Sequence, residues 1–205
     1  MAQMNFDTVG GIPDETDLVK WAESVNSFRN WRVTKKLAVR SVVTLFDKDT
    51  QAKILATQPA DPAADAVTLF RLWNGKDHFY TASEAENNSV AAGPGYHSEP
   101  NAARIFSSQK AGTVPLFRLY CHVSGDHLYT TSNGERNALI ANGEWNDEGQ
   151  AGFVYADQAS GTVPLYRLCS GGGDHFYTTD EVEHVAAVTD CHYTLEGISC
   201  YVYKA

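Results

Sequence analysis

The sequence predicts a mainly β domain with short helices (α+β), built from three tandem strand-strand-helix-strand repeats of about 48 residues behind a helical N-terminal segment. Three observations carry this expectation. Asp77-His78-Phe79-Tyr80-Thr81 returns as Asp126-His127-Leu128-Tyr129-Thr130 and again as Asp174-His175-Phe176-Tyr177-Thr178. Self-similarity at a fixed period marks a repeat architecture. The intervals are rigid: His78, His127 and His175 each precede a Glu (Glu99, Glu148, Glu196) by 21 positions, and Glu99 and Glu148 each precede the next Arg by 19. Only the step from Arg to His varies, over 7, 9 and 8 positions. A unit of this size cannot bury its apolar face alone, and about three are needed for stability. The repeats are therefore expected to close with pseudo-threefold symmetry, in a propeller- or trefoil-like arrangement.

The elements follow from the N-terminus. Pro13 with Asp14-Glu15-Thr16-Asp17 reads as a helix start with acids in its first turn. Leu18, Trp21, Ala22, Val25, Phe28 and Trp31 then mark one face of an amphipathic helix. The Val-rich run Leu37 to Phe46 suits a strand, Asp47 to Thr57 a second short helix, and the Pro- and Ala-rich stretch from Gln58 a linker. Residues 1–65 thus form a helical segment and linker, and residues 66–205 the repeat domain, divided as 66–112, 113–161 and 162–205. In each repeat an Arg segment (Arg71, Arg118, Arg167) and an Asp-His segment flank a glycine-bearing stretch of variable length. Length variation concentrates in turns, so the two segments read as antiparallel strands of a hairpin. Ser83-Glu84-Ala85-Glu86 and Thr179-Asp180-Glu181-Val182-Glu183 look like capped helix starts, and Ser132-Asn133-Gly134-Glu135 a weaker one. A third strand carries the Glu and ends on Phe106, Tyr155 or Tyr203.

Charge narrows the partners. The chain carries a net charge of −9: residues 1–65 hold 8 Lys/Arg against 9 Asp/Glu, and residues 66–205 hold 8 against 16. An acidic repeat region repels phosphate backbones, so no nucleic-acid partner is expected. The basic cluster at Arg29, Arg32, Lys35, Lys36 and Arg40 reads as a solvated face. No apolar run approaches the ~18–20 residues of a membrane span, and the N-terminus shows no secretory signal. A cytoplasmic or unconventionally secreted protein is the expectation. Cys121, Cys169, Cys191 and Cys200 match no metal-binding Cys-x-x-Cys spacing and are read as reduced thiols, with Cys191 and Cys200 the pair to watch in an oxidising compartment.

The frame of Pro164-Leu165-Tyr166-Arg167-Leu168, Gly173 to Thr179, Glu196-Gly197-Ile198 and Tyr201-Val202-Tyr203 resembles a repeat family of unknown function in bacterial and fungal proteins. The resemblance covers about residues 67–205. It implies a link to glycan-active proteins, because in bacteria such repeats often accompany cell-wall- or glycan-degrading enzymes. The absence of a visible signal peptide makes the chain similar to fungal defence lectins. The first repeat departs from the frame, with Glu99-Pro100-Asn101-Ala102 in place of Glu-Gly-Ile and Ile105-Phe106 in place of Val-Tyr.

For the repeated Asp-His-x-Tyr, the first reading is a packing and hydrogen-bonding unit, with each Arg pairing either to the Asp across its hairpin or to the Glu of the third strand. Phe79, Leu128 and Phe176 alternate to the opposite face and should fill the core. The functional reading is binding of glycans or glycoconjugates, which ask for aromatic faces and for planar donors and acceptors. Its candidates are Trp73, Asn74, Tyr120, Tyr96, Trp145 and Tyr193, supported by Asp77, His78, Asp126, His127, Asp174 and His175. The variable hairpin stretches also offer Lys76, His122 and Ser170, and loops rank above invariant strands as determinants of specificity. Repetition favours recognition through avidity. A three-histidine metal site would need His78, His127 and His175 to converge, and no spacing demands that, so neither metal nor other cofactor is expected. No hydrolase, phosphate-binding or zinc-protease motif occurs, and Glu99, Glu148 and Glu196 are equivalent where a glycosidase needs an unlike pair. The expected function is therefore non-enzymatic carbohydrate binding. A hydrolytic or toxic enzyme seated in residues 1–65, or a protein-interaction domain, is the alternative.

Overall fold

Glycine-bearing turns fold each Arg segment back against its Asp-His segment. A computed structural model describes residues 61–205, and Pro62–Ala205 form one compact unit. The helices and strand expected between residues 13 and 57 lie outside the described residues. Among those described, β1 (Ala66–Trp73), β2 (His78–Thr81), α1 (Glu84–Ala92), β3 (His97–Ser98) and β4 (Ala103–Phe106) come first. β5 (Thr113–Cys121), β6 (Asp126–Thr130), α2 (Asn133–Ala141) and β7 (Trp145–Tyr155) follow, then β8 (Val163–Cys169), β9 (His175–Thr178), α3 (Glu181–Thr189) and β10 (Thr194–Val202). The result is a mostly antiparallel β-sheet with three short helices.

The three hairpins share one register: Arg71 faces Tyr80, Arg118 faces Tyr129, and Arg167 faces Tyr177. Gly75, Gly125 and Gly173 take φ of +92°, +80° and +92° in the turns, where a Cβ would be strained. Ser83, Ser132 and Asp180 cap the helices, each accepting a backbone N–H of the first turn. In β7 and β10 the residue after the Glu is a glycine at positive φ (Gly149 +87°, Gly197 +125°) beside shifts of register. The first unit has Pro100 there. Proline offers no N–H to a ladder, and the third strand is split into β3 and β4.

The expected closure is corrected by the sheet itself. The hydrogen-bonded path runs β2-β1-β4-β7-β10-β8-β9, with β3 on β1 and the β5–β6 hairpin branching from β7. It ends on β2 and β9, so the sheet is open and the fold is neither a propeller nor a trefoil. Between units, strand pairing shrinks to single pairs: Phe106 with Phe153, Tyr201 with Tyr155, and the isolated bridge of Arg104 with Tyr203. The physical reason lies in the short inner strands β2, β6 and β9. Their outward N–H groups find side chains instead of another strand. His78 N–H donates to Asp174, His127 N–H to Asp77 and His175 N–H to Asp126, each at 2.8 Å. The N–H groups of Tyr80, Tyr129 and Tyr177 donate to the hydroxyls of Tyr129, Tyr177 and Tyr80. With those donors satisfied, a closing ladder has no unmet demand to answer.

The core gathers around these three tyrosines. Leu69, Leu116 and Leu165, with Ile105, Val154 and Val202, are at most 2% exposed. Each such side chain contributes about 1.5–3 kcal/mol on burial. Phe79, Leu128 and Phe176 are buried as expected. Each tyrosine hydroxyl also donates to a neighbouring unit's carbonyl: Tyr80 to Tyr177, Tyr129 to Tyr80, Tyr177 to Tyr129. Every hydroxyl thus accepts once and donates once, in one direction around the set. Gly152 lets β7 approach β4, since a Cβ there would lie 2.5 Å from Ile105 Cδ1 and 2.8 Å from the Phe106 carbonyl oxygen.

Candidate functional site

The repeated Asp and His are buried and hold units together. Asp77 clamps His127, Asp126 clamps His175 and Asp174 clamps His78. In each clamp one carboxylate oxygen takes the His N–H and the other lies 2.7–2.8 Å from Nδ1. An ionised carboxylate there fixes the tautomer with the proton on Nδ1. Burial opposes ionisation of Asp77, but hydrogen bonds from His127 and Tyr96 outweigh it and lower its pKa.

A second clamp lies further out. Arg71 binds Glu183 through both terminal nitrogens, Arg118 binds Glu86 and Arg167 binds Glu135, at 2.7–3.0 Å. Each Nε also pairs at 2.8 Å with the third-strand glutamate of its own unit: Glu99, Glu148 or Glu196. Of the two partners open to each Arg, the structure selects the glutamate and gives the aspartate to a histidine. The helix glutamates sit three residues past the cap, where they also accept from Thr81, Thr130 and Thr178. The bond from Arg118 holds Glu86 below its usual pKa. For Glu135 and Glu183 burial pushes the other way, but the bonds from Arg167 and Arg71 prevail and the pKa is again lowered.

The three arginine sites differ in openness. Arg71 is 4% exposed at its side chain, Arg118 14% and Arg167 20%. Arg71 lies 5.1 Å from the centre of the Phe176 ring, and Arg118 4.8 Å from that of Phe79. The same rotation gives Arg167 the residue Leu128, which has no ring face to offer. At Arg167 the surface opens into a cavity of about 190 Å³ lined by Thr131, Ser132, Glu135, Arg167, Glu196 and Ser199, among others.

The residues expected to bind ligand are distributed otherwise. Asp77, Asp126, Asp174, His78, His127 and His175 are buried in the clamps. Trp73 stacks on His78 at 4.1 Å between ring centres and Tyr120 lies 4.9 Å from His127, so both are half-buried covers. Tyr96 and Tyr193 pack edge-on against Phe79 and Phe176 and donate their hydroxyls to Asp77 and Asp174. Trp145 packs with Leu128 and Phe117 and meets His175 edge-on. Asn74 is exposed, and its side chain caps the turn by accepting from Lys76 and Asp77 N–H. None of the twelve lines the cavity. The glutamates that do were visible as fixed intervals, Glu196 at 21 residues past His175 and Glu135 at a helix start. What sequence could not show is that Arg167 would join Glu196 of its own unit to Glu135 of the neighbouring one.

Two groups of potential metal ligands occur among the described residues. The carboxylates of Asp77, Asp126 and Asp174 approach one another, as do Cys169, His175 and Glu196. The three histidines do not form such a group. All four cysteines are free. Burial, reinforced by the carboxylates of Glu196, Asp126 and Asp174, pushes the Cys169 thiol up to about 11.

A family model for a domain of unknown function, DUF5648, matches residues 68–203. The chain belongs to this family. The match spans β1 through β10, so the family domain includes every clamp described above. No curated protein and no solved structure matches the chain.

Proposed function

We propose that this DUF5648 domain is a non-enzymatic carbohydrate-binding module whose sugar site is the cleft at Arg167. The observation that carries the reading is that cleft. About 190 Å³ of space is lined by a guanidinium, two carboxylates and the hydroxyls of Thr131, Ser132 and Ser199. Pockets for drug-sized ligands run to roughly 300–1,000 Å³, so this one suits a single small ring. Sugar hydroxyls both donate and accept. The carboxylates of Glu135 and Glu196, with side chains 31% and 32% exposed, offer acceptors, and the serine and threonine hydroxyls offer either role. The arginine fixes both carboxylates in place before any ligand arrives, which reduces the ordering cost of binding. The acidic surface argues against polyanionic ligands.

Binding without hydrolysis is favoured by the state of Glu135. A glycosidase acid needs a raised pKa, and Arg167 holds Glu135 in the opposite direction. A glycan array followed by calorimetry on the best hit tests the proposal. Saccharide binding by the native protein and its loss in Ser199→Tyr, which fills the cleft, are expected. Absence of saccharide binding at millimolar ligand, or a Ser199→Tyr variant that binds unchanged, refutes it.

A further inference from the structure

We propose that Cys169, His175 and Glu196 form a binding site for a zinc-class divalent cation, present in the third unit alone. Cys169 ends β8 and His175 begins β9, directly opposite each other in the hairpin, and Glu196 comes from β10 alongside. One donor atom from each lies within 4.8 Å of the other two. Zinc bonds of about 2.0–2.3 Å place tetrahedral ligands roughly 3.5 Å apart. Contraction by about 1 Å therefore closes the site, the half-buried Cys169 thiol moving toward a Glu196 that Arg167 Nε holds at 2.8 Å.

Three further features support a soft, borderline cation. Thiolate, imidazole and carboxylate together are a zinc-type donor set, whereas calcium and magnesium take oxygen ligands alone. His175 is presented as a metal-binding histidine needs to be. Asp126 occupies Nδ1 at 2.7 Å, which leaves Nε2 as the lone-pair nitrogen. That nitrogen lies 3.6 Å from Glu196 Oε2, beyond hydrogen-bond length. A carboxylate behind the ligating imidazole is the common second-layer arrangement of zinc sites. Finally, three protein ligands leave the fourth position open, and Glu196 borders the cleft at Arg167.

The other two units supply the control. They hold the same Asp–His–Glu geometry, with His78 3.7 Å from Glu99 and His127 3.6 Å from Glu148. Opposite the histidine, however, stand Trp73 and Tyr120 in place of Cys169. An aromatic ring covers the imidazole and no thiol is offered. The buried Asp77, Asp126 and Asp174 do not compete for the cation, because each carboxylate already accepts a histidine N–H and faces Nδ1 of the same ring.

The test uses the full chain, stripped with a chelator and titrated with Co²⁺ as a spectroscopic probe, then with Zn²⁺. One equivalent of cobalt should give thiolate-to-metal charge-transfer absorption, and zinc should bleach it. Cys169→Ser, and Cys169→Tyr in imitation of Tyr120, should abolish the band while keeping the native circular dichroism. Cys191→Ser, at the exposed thiol, should leave the band intact. Zinc should raise the melting temperature of the native protein and not that of the Cys169 variants. No thiolate band at one equivalent, or a band that survives Cys169→Ser, overturns the proposal.

Discussion

The clamps around Arg71 and Arg167 are assembled from matching parts and differ in what surrounds them. Both guanidiniums hold a helix glutamate by two bonds and a third-strand glutamate through Nε. Arg71 lies against Phe176 and has Trp73 nearby on His78, whereas the corresponding places around Arg167 and His175 hold Leu128, from the second unit, and Cys169. Those two side chains accompany the difference between a guanidinium that is 4% exposed and one that is 20% exposed beside the cleft. The lesson is that the contacts repeated in all three units hold the fold, and function is read from the positions where one unit omits a cover.

The two arginines should differ most when each is removed. Removing one partner of a buried ion pair costs about 3–5 kcal/mol, whereas an exposed pair is worth about 0–1 kcal/mol. Arg71→Ala should lose stability near the upper figure in urea unfolding, leaving Glu99 and Glu183 facing each other without a cation. Arg167→Ala, at a fivefold more exposed guanidinium, should lose markedly less. Equal losses would show that exposure does not distinguish the two clamps.

Leu128→Phe gives Arg167 the ring it lacks, adding a cation–π contact of about 0.5–1 kcal/mol that holds the guanidinium away from ligand. The expected outcome is a slightly higher melting temperature with weaker saccharide binding; stabilisation without loss of binding would separate the cover from the site.

The smallest effect concerns acid. Glu86, Glu135 and Glu183 have folded pKa values depressed by their arginines. Their contribution is complete above the unfolded glutamate value of about 4.3 and is lost as pH falls through the lower folded values. The melting temperature should be flat from pH 7 to 5 and drop below about pH 4. In Arg167→Ala, Glu135 loses its partner, so the acid limb should move by a few tenths of a pH unit. An unchanged acid limb in that variant would mean that Glu135 gains nothing from the pair.

Much of the frame was legible in the chain. The elastic intervals between Arg71 and His78, Arg118 and His127, and Arg167 and His175 located the hairpin turns, because only a turn absorbs insertion without shifting a register. Ser83 and Asp180 announced their helices through side-chain capping. The partners were not legible: nothing local reveals that Asp77 reaches His127 or that Arg71 reaches Glu183, since those contacts join residues 50 and 112 positions apart. Closure failed as an expectation for a related reason. Periodicity implies that units meet, but whether strands or side chains join them depends on where the free N–H groups point. The candidate aspartates and histidines are buried, and the candidate aromatics lie over them half-buried, because residues suited to sugars are equally suited to covering a buried imidazole.

The direction in which the clamps run has a consequence for how the protein is made. Arg71 and His78 in the first unit find their bidentate and Nδ1 partners, Glu183 and Asp174, only in the last. As the chain leaves the ribosome at roughly 5–20 residues per second, the first hairpin waits several seconds with Arg71 held by Glu99 alone and His78 without its aspartate. The fold then locks when its final segment arrives. A chain shortened by one unit would be left with broken clamps at both of its ends rather than with a smaller copy of the same fold.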